Sequence, residues 1–391
     1  MKTYDAIVVG AGPAGSSTAY RLASGGASVL LLDRARFPRD KPCGGGVTPR
    51  ALQQLPVDIT PVVEHVVTTA ELRLGFRRTA ERGRGGPLVY MTQRRRLDHY
   101  LVEKAASAGA ELREGVKVIG VEANERGAVV RAGAERLLGR TVIGADGVNG
   151  MAARALGLGG NRSVAVALEG NVPNAKADAD RFRGRFVLEL DTVPGGYGWV
   201  FPKGDHLNVG VGGCEREGPN LRRHLERLCG EHGIRTADLE RVCGHRLPYR
   251  APDSRLARGT ALVAGDSAGL ADPLTGDGMF EAFLSGRCAA EAVTALLAGE
   301  ASSLDPYGPR VTRRLALHLW AAWSLKAALE RYPRTTFALA KSRPVWPVVE
   351  ALVTGEIADV RAAKGLARPL LKAISLLARS AGDPGYAYRP A

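Results

Sequence analysis

The stretch Gly10-Ala11-Gly12-Pro13-Ala14-Gly15 constrains this chain more than any other, because of what flanks it. Residues 4–9 read as a buried strand, residues 14–24 as a helix stopped by Gly25-Gly26, and residues 28–32 as a second strand ended by Asp33. Strand, glycine turn, helix and strand make a βαβ unit, and each glycine has its own reason. Gly10 permits the tight turn, Gly12 lets backbone approach a pyrophosphate, and Gly15 lets helix and strand pack closely. The helix start then meets the phosphate charge with its positive end. Asp33, 18 residues after Gly15, is spaced to accept from both hydroxyls of an adenosine ribose. An acid at the strand end points to a free ribose diol, as in FAD or NAD. Ala14 and Arg34 are grouped with these as cofactor-binding residues.

Two later segments choose between the dinucleotides. VIGADGVNG (142–150) ends a strand at Ala-Asp-Gly, and ALVAGDSAGLADPLTGDGMFEAF (261–283) runs a strand into Gly265-Asp266 before a glycine-opened helix. These resemble the second and third fingerprints of the p-hydroxybenzoate hydroxylase class of flavoproteins, so the cofactor expected is FAD. The resemblance implies that Asp266 bonds the ribityl chain. It also implies that the amides of Gly278 and Met279, at a helix start, face the flavin N1–C2=O edge and stabilise an anionic reduced ring. Asp146, Gly265, Pro273 and Gly276 join the expected cofactor set. QRRRLDHYL supplies the Arg-x-x-Leu-Asp that precedes a helix in this class, which makes Arg94 the flavin-contacting arginine. Val118 stands where the class holds adenine through backbone atoms.

KPCGGGVTPRAL (41–52) together with GYGWVFPKGDHLNVGVG (196–212) resembles the geranylgeranyl reductase family within that class. Its members saturate isolated C=C bonds of prenyl chains. The resemblance covers roughly residues 1–300. It implies that Gly44, Gly45, Gly46 and Val47 run along the flavin ring, where a Cβ would block the approach. Cys43 then lies at the ring edge, either as a small polarizable wall residue or as a catalytic proton donor. By strand alternation Tyr197, Trp199 and Phe201 share one face, read as the substrate wall, while Gly198 and Val200 point to the other. Gly204-Asp205 turns the chain into a partner strand, and with residues 163–172 and 185–191 this predicts an antiparallel sheet of about four strands.

The fold expected is α/β plus α+β. A Rossmann-type FAD-binding domain (1–60, 90–158, 255–302) carries an inserted antiparallel-sheet substrate domain (61–89, 159–254) and a helical C-terminal region (303–391). Five cysteines, odd in number and without a Cys-x-x-Cys pair, argue against a disulfide framework and fit a reducing cytoplasm. Seven scattered histidines suggest no metal site. The N-terminus does not read as a signal peptide, since Asp5 interrupts its apolar stretch. Residues 301–391 hold 14 Lys+Arg against 6 Asp+Glu within a chain of net charge +14. With no recognisable nucleic-acid module, that surface fits an anionic membrane face on the cytoplasmic side, or plain solvated arginine.

Residues 356–380 show Arg361, Lys364, Arg368, Lys372 and Arg379 on one stripe. Ile357, Val360, Leu370, Ile374 and Leu377 fall on the other, with Pro369 as a kink or break. Such a helix lies either in a membrane interface or on its own core. HLWAAW (318–323) lines a prenyl tunnel or fills the core.

A single dinucleotide turn leaves no second Rossmann domain, so the reductant is a transiently docked NAD(P)H or a reduced electron-carrier protein. The substrate expected is a prenylated lipid, quinone or pigment. The same scaffold also serves flavin monooxygenases and halogenases, and a non-enzymatic flavin-binding module is the remaining alternative.

Overall fold

The computed structural model describes residues 2–83, 85–160, 162–357 and 364–382. The predicted βαβ unit seeds the first sheet. Strand Thr3–Val9 pairs in parallel with Val29–Leu32 on one side and with Glu135–Gly144 on the other. Ala261–Val263 continues the parallel order beyond Gly144, and Glu111–Arg113 extends the opposite flank. Strands covered on both faces should read as near-continuous apolar runs, and Val29–Leu32 is buried throughout. Helices Pro13–Ser24 and Met279–Leu297 meet beside this sheet through small residues. A Cβ on Gly286 would lie 2.6 Å from Ser17 Oγ and 2.8 Å from the Ala14 carbonyl, so no larger residue fits there.

The second sheet has seven strands where about four are predicted. Its order is Glu240–Arg250, Arg162–Pro173, His206–Cys214, Tyr197–Pro202, Arg185–Leu190, Thr69–Leu74, Arg78–Gly83. The predicted hairpin is present, with Trp199 opposite Gly210 and Val200 opposite Val209. The additions come from far along the chain. Thr69–Leu74 joins Arg185–Leu190 in parallel, which alternation within one segment cannot announce. Behind this sheet Val187, Val200, Val209 and Val211 form a core with Leu221, Leu225 and Leu228 of helix Leu221–Glu231. A three-stranded sheet of Gly46–Val47, Val89–Thr92 and Val63–Val67 ties the triple glycine to the rest.

The C-terminal region is helical, as Tyr307–Arg331, Pro333–Ala340, Trp346–Thr354 and Ala367–Ser380. The last of these buries Ile374 and Ala378 against Ala328, so its apolar face packs on the protein itself. Leu366 and Leu376 stay outside, 73% and 54% exposed. Lys364, Arg368, Lys372 and Arg379 are exposed as the stripe predicts. Val360 and Arg361 lie outside the described residues. Pro369 sits in the first turn of the helix, where its missing N–H is harmless, rather than at a kink. Among the described residues no helix is long and apolar enough to cross a membrane.

Candidate cofactor and substrate site

A cavity of about 1390 Å³ runs from the glycine turn past Cys43 and the aromatic strand to Trp320, Phe337 and Ile374 of the C-terminal helices. Small-ligand pockets usually hold about 300–1,000 Å³, so this volume suits two ligands, one of them apolar. At its polar end the residues fit a dinucleotide. A Cβ on Gly12 would meet only Arg39, 4.0 Å away, so the face of the turn is open. Gly10 has φ +102° and a Cβ there would lie 2.3 Å from the Ala145 carbonyl oxygen. Asp33 accepts the Ala11 and Ala35 amides, each at 2.8 Å, and each carboxylate oxygen keeps a second lone pair for a ribose hydroxyl.

Most residues singled out in the sequence line this cavity, among them Ala14, Arg34, Asp146, Gly265, Asp266, Pro273 and Gly276. Three do not. Gly15 packs on the strand instead, since a Cβ there would lie 1.9 Å from the Gly10 carbonyl oxygen. Val47 is fully buried in the core, and Val118 opens strand Val118–Asn124, off the cavity, opposite Ala132. Asp146 accepts the Met151 and Ala152 amides at 2.7 and 2.9 Å, so it also holds the loop after its strand.

The triple glycine has a reason within the protein itself. A Cβ on Gly44 would lie 2.8 Å from the Phe201 ring, and one on Gly46 would lie 2.9 Å from Val89 Cγ1. Gly45, at φ +67°, would put its Cβ 2.1 Å from the Thr92 carbonyl oxygen and 2.5 Å from Lys203 Nζ. The segment also lines the cavity, but what excludes side chains here is the protein's own packing.

Arg94 is the first residue of helix Arg94–Ser107, not a residue preceding it. Its guanidinium grips Asp98 through two 2.7 Å hydrogen bonds, and Arg39 adds a 3.0 Å contact to the same carboxylate. Burial lowers the Arg94 pKa, but Asp98 outweighs it and raises the pKa, with Cys43 adding to the effect. Arg94 therefore serves Asp98 and the thiol of Cys43. The Cys43 sulfur accepts the Gly45 amide at 3.3 Å, and the Cys43 amide donates to Glu169 at 2.7 Å.

Glu169, missed in the sequence, is a buried acid on the cavity wall, and burial raises its pKa despite the Cys43 amide and Lys203. Lys203 is buried too, its ammonium donating to the Gly44 and Thr92 carbonyls, and burial lowers its pKa to about 8. Lys203 directly follows the Tyr-x-Trp-x-Phe-Pro strand, yet only the fold reveals what it touches.

The aromatic face forms as alternation predicts. Tyr197–Trp199, Trp199–Phe201 and Phe201–Phe186 centroids are 5.9, 6.1 and 5.8 Å apart, a continuous row of rings. The Trp199 indole N–H donates to Asn208 at 2.8 Å, and the ring lies over Gly210. A Cβ on Gly210 would fall 2.2 Å from Trp199 Cζ2. Gly210→Ala is expected to drive the indole into the cavity, destabilising the protein by about 1–3 kcal/mol. Denaturation, together with a shifted tryptophan emission, checks it. Trp320 lines the cavity, whereas Trp323 packs edge-on to Tyr249 at 5.6 Å.

At the start of helix Met279–Leu297 the polar groups are ones the sequence reading passed over. His318 Nε2 lies 3.0 Å from Asp272 and 3.1 Å from Glu281, and Arg50 Nη1 stands 3.0 Å from His318 Nδ1. Burial lowers the His318 pKa, but the two carboxylates outweigh it and hold it up at about 9. Their ligand-type atoms lie within 4.8 Å of one another, a grouping that counting His motifs could not foresee. With one nitrogen shared by both acids it reads as an ion-paired cluster.

Gly278 and Met279, expected at the flavin edge, line the cavity. Their amides are engaged by Asp277 Oδ1, at 2.8 and 3.1 Å. Lys41 Nζ lies 2.9 Å from His245 Nε2, which is 4.0 Å from Asp266, and burial with the Lys41 charge lowers the His245 pKa to about 4.

The FAD binding domain family matches residues 3–316. A menaquinone reductase of Mycolicibacterium smegmatis is 31% identical over 402 residues, covering 93% of this chain and 94% of its own. A geranylgeranyl diphosphate reductase of Rhodobacter capsulatus is 32% identical over 302 residues, covering 75% of this chain and 76% of its own. Among solved structures, a geranylgeranyl bacteriochlorophyll reductase-like protein of Thermoplasma acidophilum superimposes with a TM-score of 0.79 at 23% identity, covering 96% of this chain and all of its own. A flavin-dependent brominase shares the fold with a TM-score of 0.75 at 19% identity, covering 97% of this chain and 100% of its own.

Proposed function

Because the chain belongs to the geranylgeranyl reductase family of FAD-dependent oxidoreductases, we propose that it saturates isolated C=C bonds in the prenyl chain of a lipid, quinone or pigment. One observation carries the reading. The cavity that begins at the glycine turn continues along an apolar wall of Trp199, Phe201, Leu188, Trp320, Leu325 and Ile374. That is the lining a polyisoprene needs and a polar substrate would waste.

Gly10, Gly12 and Asp33 would hold the adenosine and pyrophosphate, and Asp266 the ribityl chain. FAD, when bound and reduced, supplies a hydride. The chain's own residues do the rest. An isolated alkene has no carbonyl to take up charge, so positive charge develops on one carbon as the other is protonated. The faces of Tyr197 and Trp199 stabilise that charge. Two proton carriers meet beside them, the Cys43 thiol and the Glu169 carboxyl. A neutral thiol is a weak acid towards an alkene, so positioning must compensate, whereas burial keeps a proton on Glu169 to higher pH.

In this reading residues 61–89 and 159–254 form the substrate-facing unit, and helices Tyr307–Arg331, Pro333–Ala340, Trp346–Thr354 and Ala367–Ser380 of the C-terminal region form the far wall of the cavity. The substrate is membrane-borne, and exposed Lys364, Arg368, Lys372 and Arg379 suit an anionic surface on the cytoplasmic side. The reductant is NAD(P)H or a reduced carrier protein, told apart by which of them bleaches the flavin anaerobically.

The test is mass spectrometry of quinones and lipids from cells with and without the gene. Gain of two hydrogens per bond supports the reading, and gain of an oxygen atom replaces it with a monooxygenase. Within the reductase, Glu169→Gln is expected to lower turnover at least tenfold and Cys43→Ala by less. Equal, unchanged turnover in both variants removes these groups from proton delivery.

A further inference from the structure

The amides that open helix Met279–Leu297 are where a flavin N1–C2=O edge is expected, and Asp277 already holds them. The Asp277 amide in turn donates to Thr275 Oγ1 at 3.2 Å, and Tyr197 donates its hydroxyl to the Thr275 carbonyl. The carboxylate is thus fixed at the cavity wall by a turn tied to the aromatic strand.

Three further carboxylates stand near it. Asp272 precedes it in the same turn and Glu281 follows one helical turn later, while a Cβ on Gly278 would come within 3.3 Å of Asp266 Oδ1. The nearby cations are committed elsewhere. His318 is shared between Asp272 and Glu281, and Arg50 contacts His318 and stacks 4.0 Å over the Phe280 ring. Tyr197 faces the site as a neutral phenol whose pKa burial raises. An anionic reduced ring at these amides would therefore add negative charge to a site whose cations are already taken.

Resting on the FAD-dependent reductase reading, we propose that Asp277 is a proton-linked partner of the flavin: it yields the Gly278 and Met279 amides to the ring and takes up a proton as the ring is reduced. The balance is simple. A hydride from a dihydronicotinamide, or two electrons and one proton from another donor, reduces the neutral ring to its anion. The Asp277 carboxylate binds one further proton from solvent, so the charge of the site is unchanged. Loss of the hydride to substrate returns that proton. Burial and Glu281 already push the Asp277 pKa up to about 7, and a negative ring acts in the same direction.

The experiment is anaerobic dithionite titration of the FAD-loaded protein across the neutral pH range, counting protons taken up per two electrons. Above about pH 7, where Asp277 of the oxidised protein is ionised, wild type should take up close to two and Asp277→Asn about one, with Asp277→Glu close to wild type and the reduced spectrum anionic throughout. Infrared difference spectra of wild type should show a protonated carboxyl band appearing on reduction. An uptake in Asp277→Asn equal to wild type, or no carboxyl band, overturns the proposal. So does a neutral reduced ring that carries the second proton itself. If the purified protein takes up no FAD, the reductase reading falls and this inference with it. If FAD binds and wild type takes up a single proton, only the inference falls.

Discussion

Gly45→Ala is expected to destabilise the protein by about 3 kcal/mol or more and to yield protein without bound flavin. Two penalties act at one atom. At φ +67° any side chain is strained, and the new Cβ would stand 2.1 Å from the Thr92 carbonyl oxygen. Lys203 cannot easily retreat, because its ammonium bridges the Gly44 and Thr92 carbonyls that frame the same corner. Gly12→Ala is the informative contrast. Gly12 has φ −77° and open space before it, so alanine should leave the apoprotein stable within about 0.5 kcal/mol. Its Cβ would face the pyrophosphate, so FAD affinity should fall at least tenfold. Denaturation midpoints and the flavin-to-protein absorbance ratio measure both. Equal destabilisation by the two substitutions would contradict the packing account of Gly45.

Removing the Asp98 carboxylate is expected to be as damaging by a different route. Asp98 is fully buried and holds Arg94 at 2.7 Å and Arg39 at 3.0 Å. Asp98→Ala strands two guanidinium groups side by side with no counter-charge. Breaking a buried pair from one end typically costs about 3–5 kcal/mol. Asp98→Asn keeps the volume and one acceptor, so its loss should be smaller. Because Arg94 also reaches Cys43, turnover in Asp98→Asn should fall beyond what stability explains. Chemical denaturation separates the two contributions, and a loss below about 1 kcal/mol in Asp98→Ala would show that the arginines find other partners.

Both predictions fall on residues whose importance was only half visible in one dimension. Gly45 was legible as a residue that tolerates no side chain, but not as a neighbour of Thr92 and Lys203, which lie 47 and 158 positions away. The motif marks Arg94 as a cofactor contact, but nothing in it marks Asp98, four residues on, as the partner that Arg94 grips. Glu169 carries no motif at all. It matters because strand Arg162–Pro173 lies against His206–Cys214 in a register that points it at Cys43.

What the chain determined on its own is local and periodic. The glycine turn with its flanking strands, the Gly-Asp strand end before a helix, and the alternation of Tyr197, Trp199 and Phe201 each depend on neighbours within a dozen residues. Tertiary structure alone decided the parallel seam that makes the second sheet seven-stranded, and the packing of the terminal helix on its own core. It alone also decided the sharing of His318 between Asp272 and Glu281 and the meeting of Cys43 with Glu169 across 126 positions. The reason is geometric. Backbone sterics and side-chain period act along the chain and leave a trace in it, whereas burial, charge pairing and pKa depend on which distant segments the fold brings within a few ångströms.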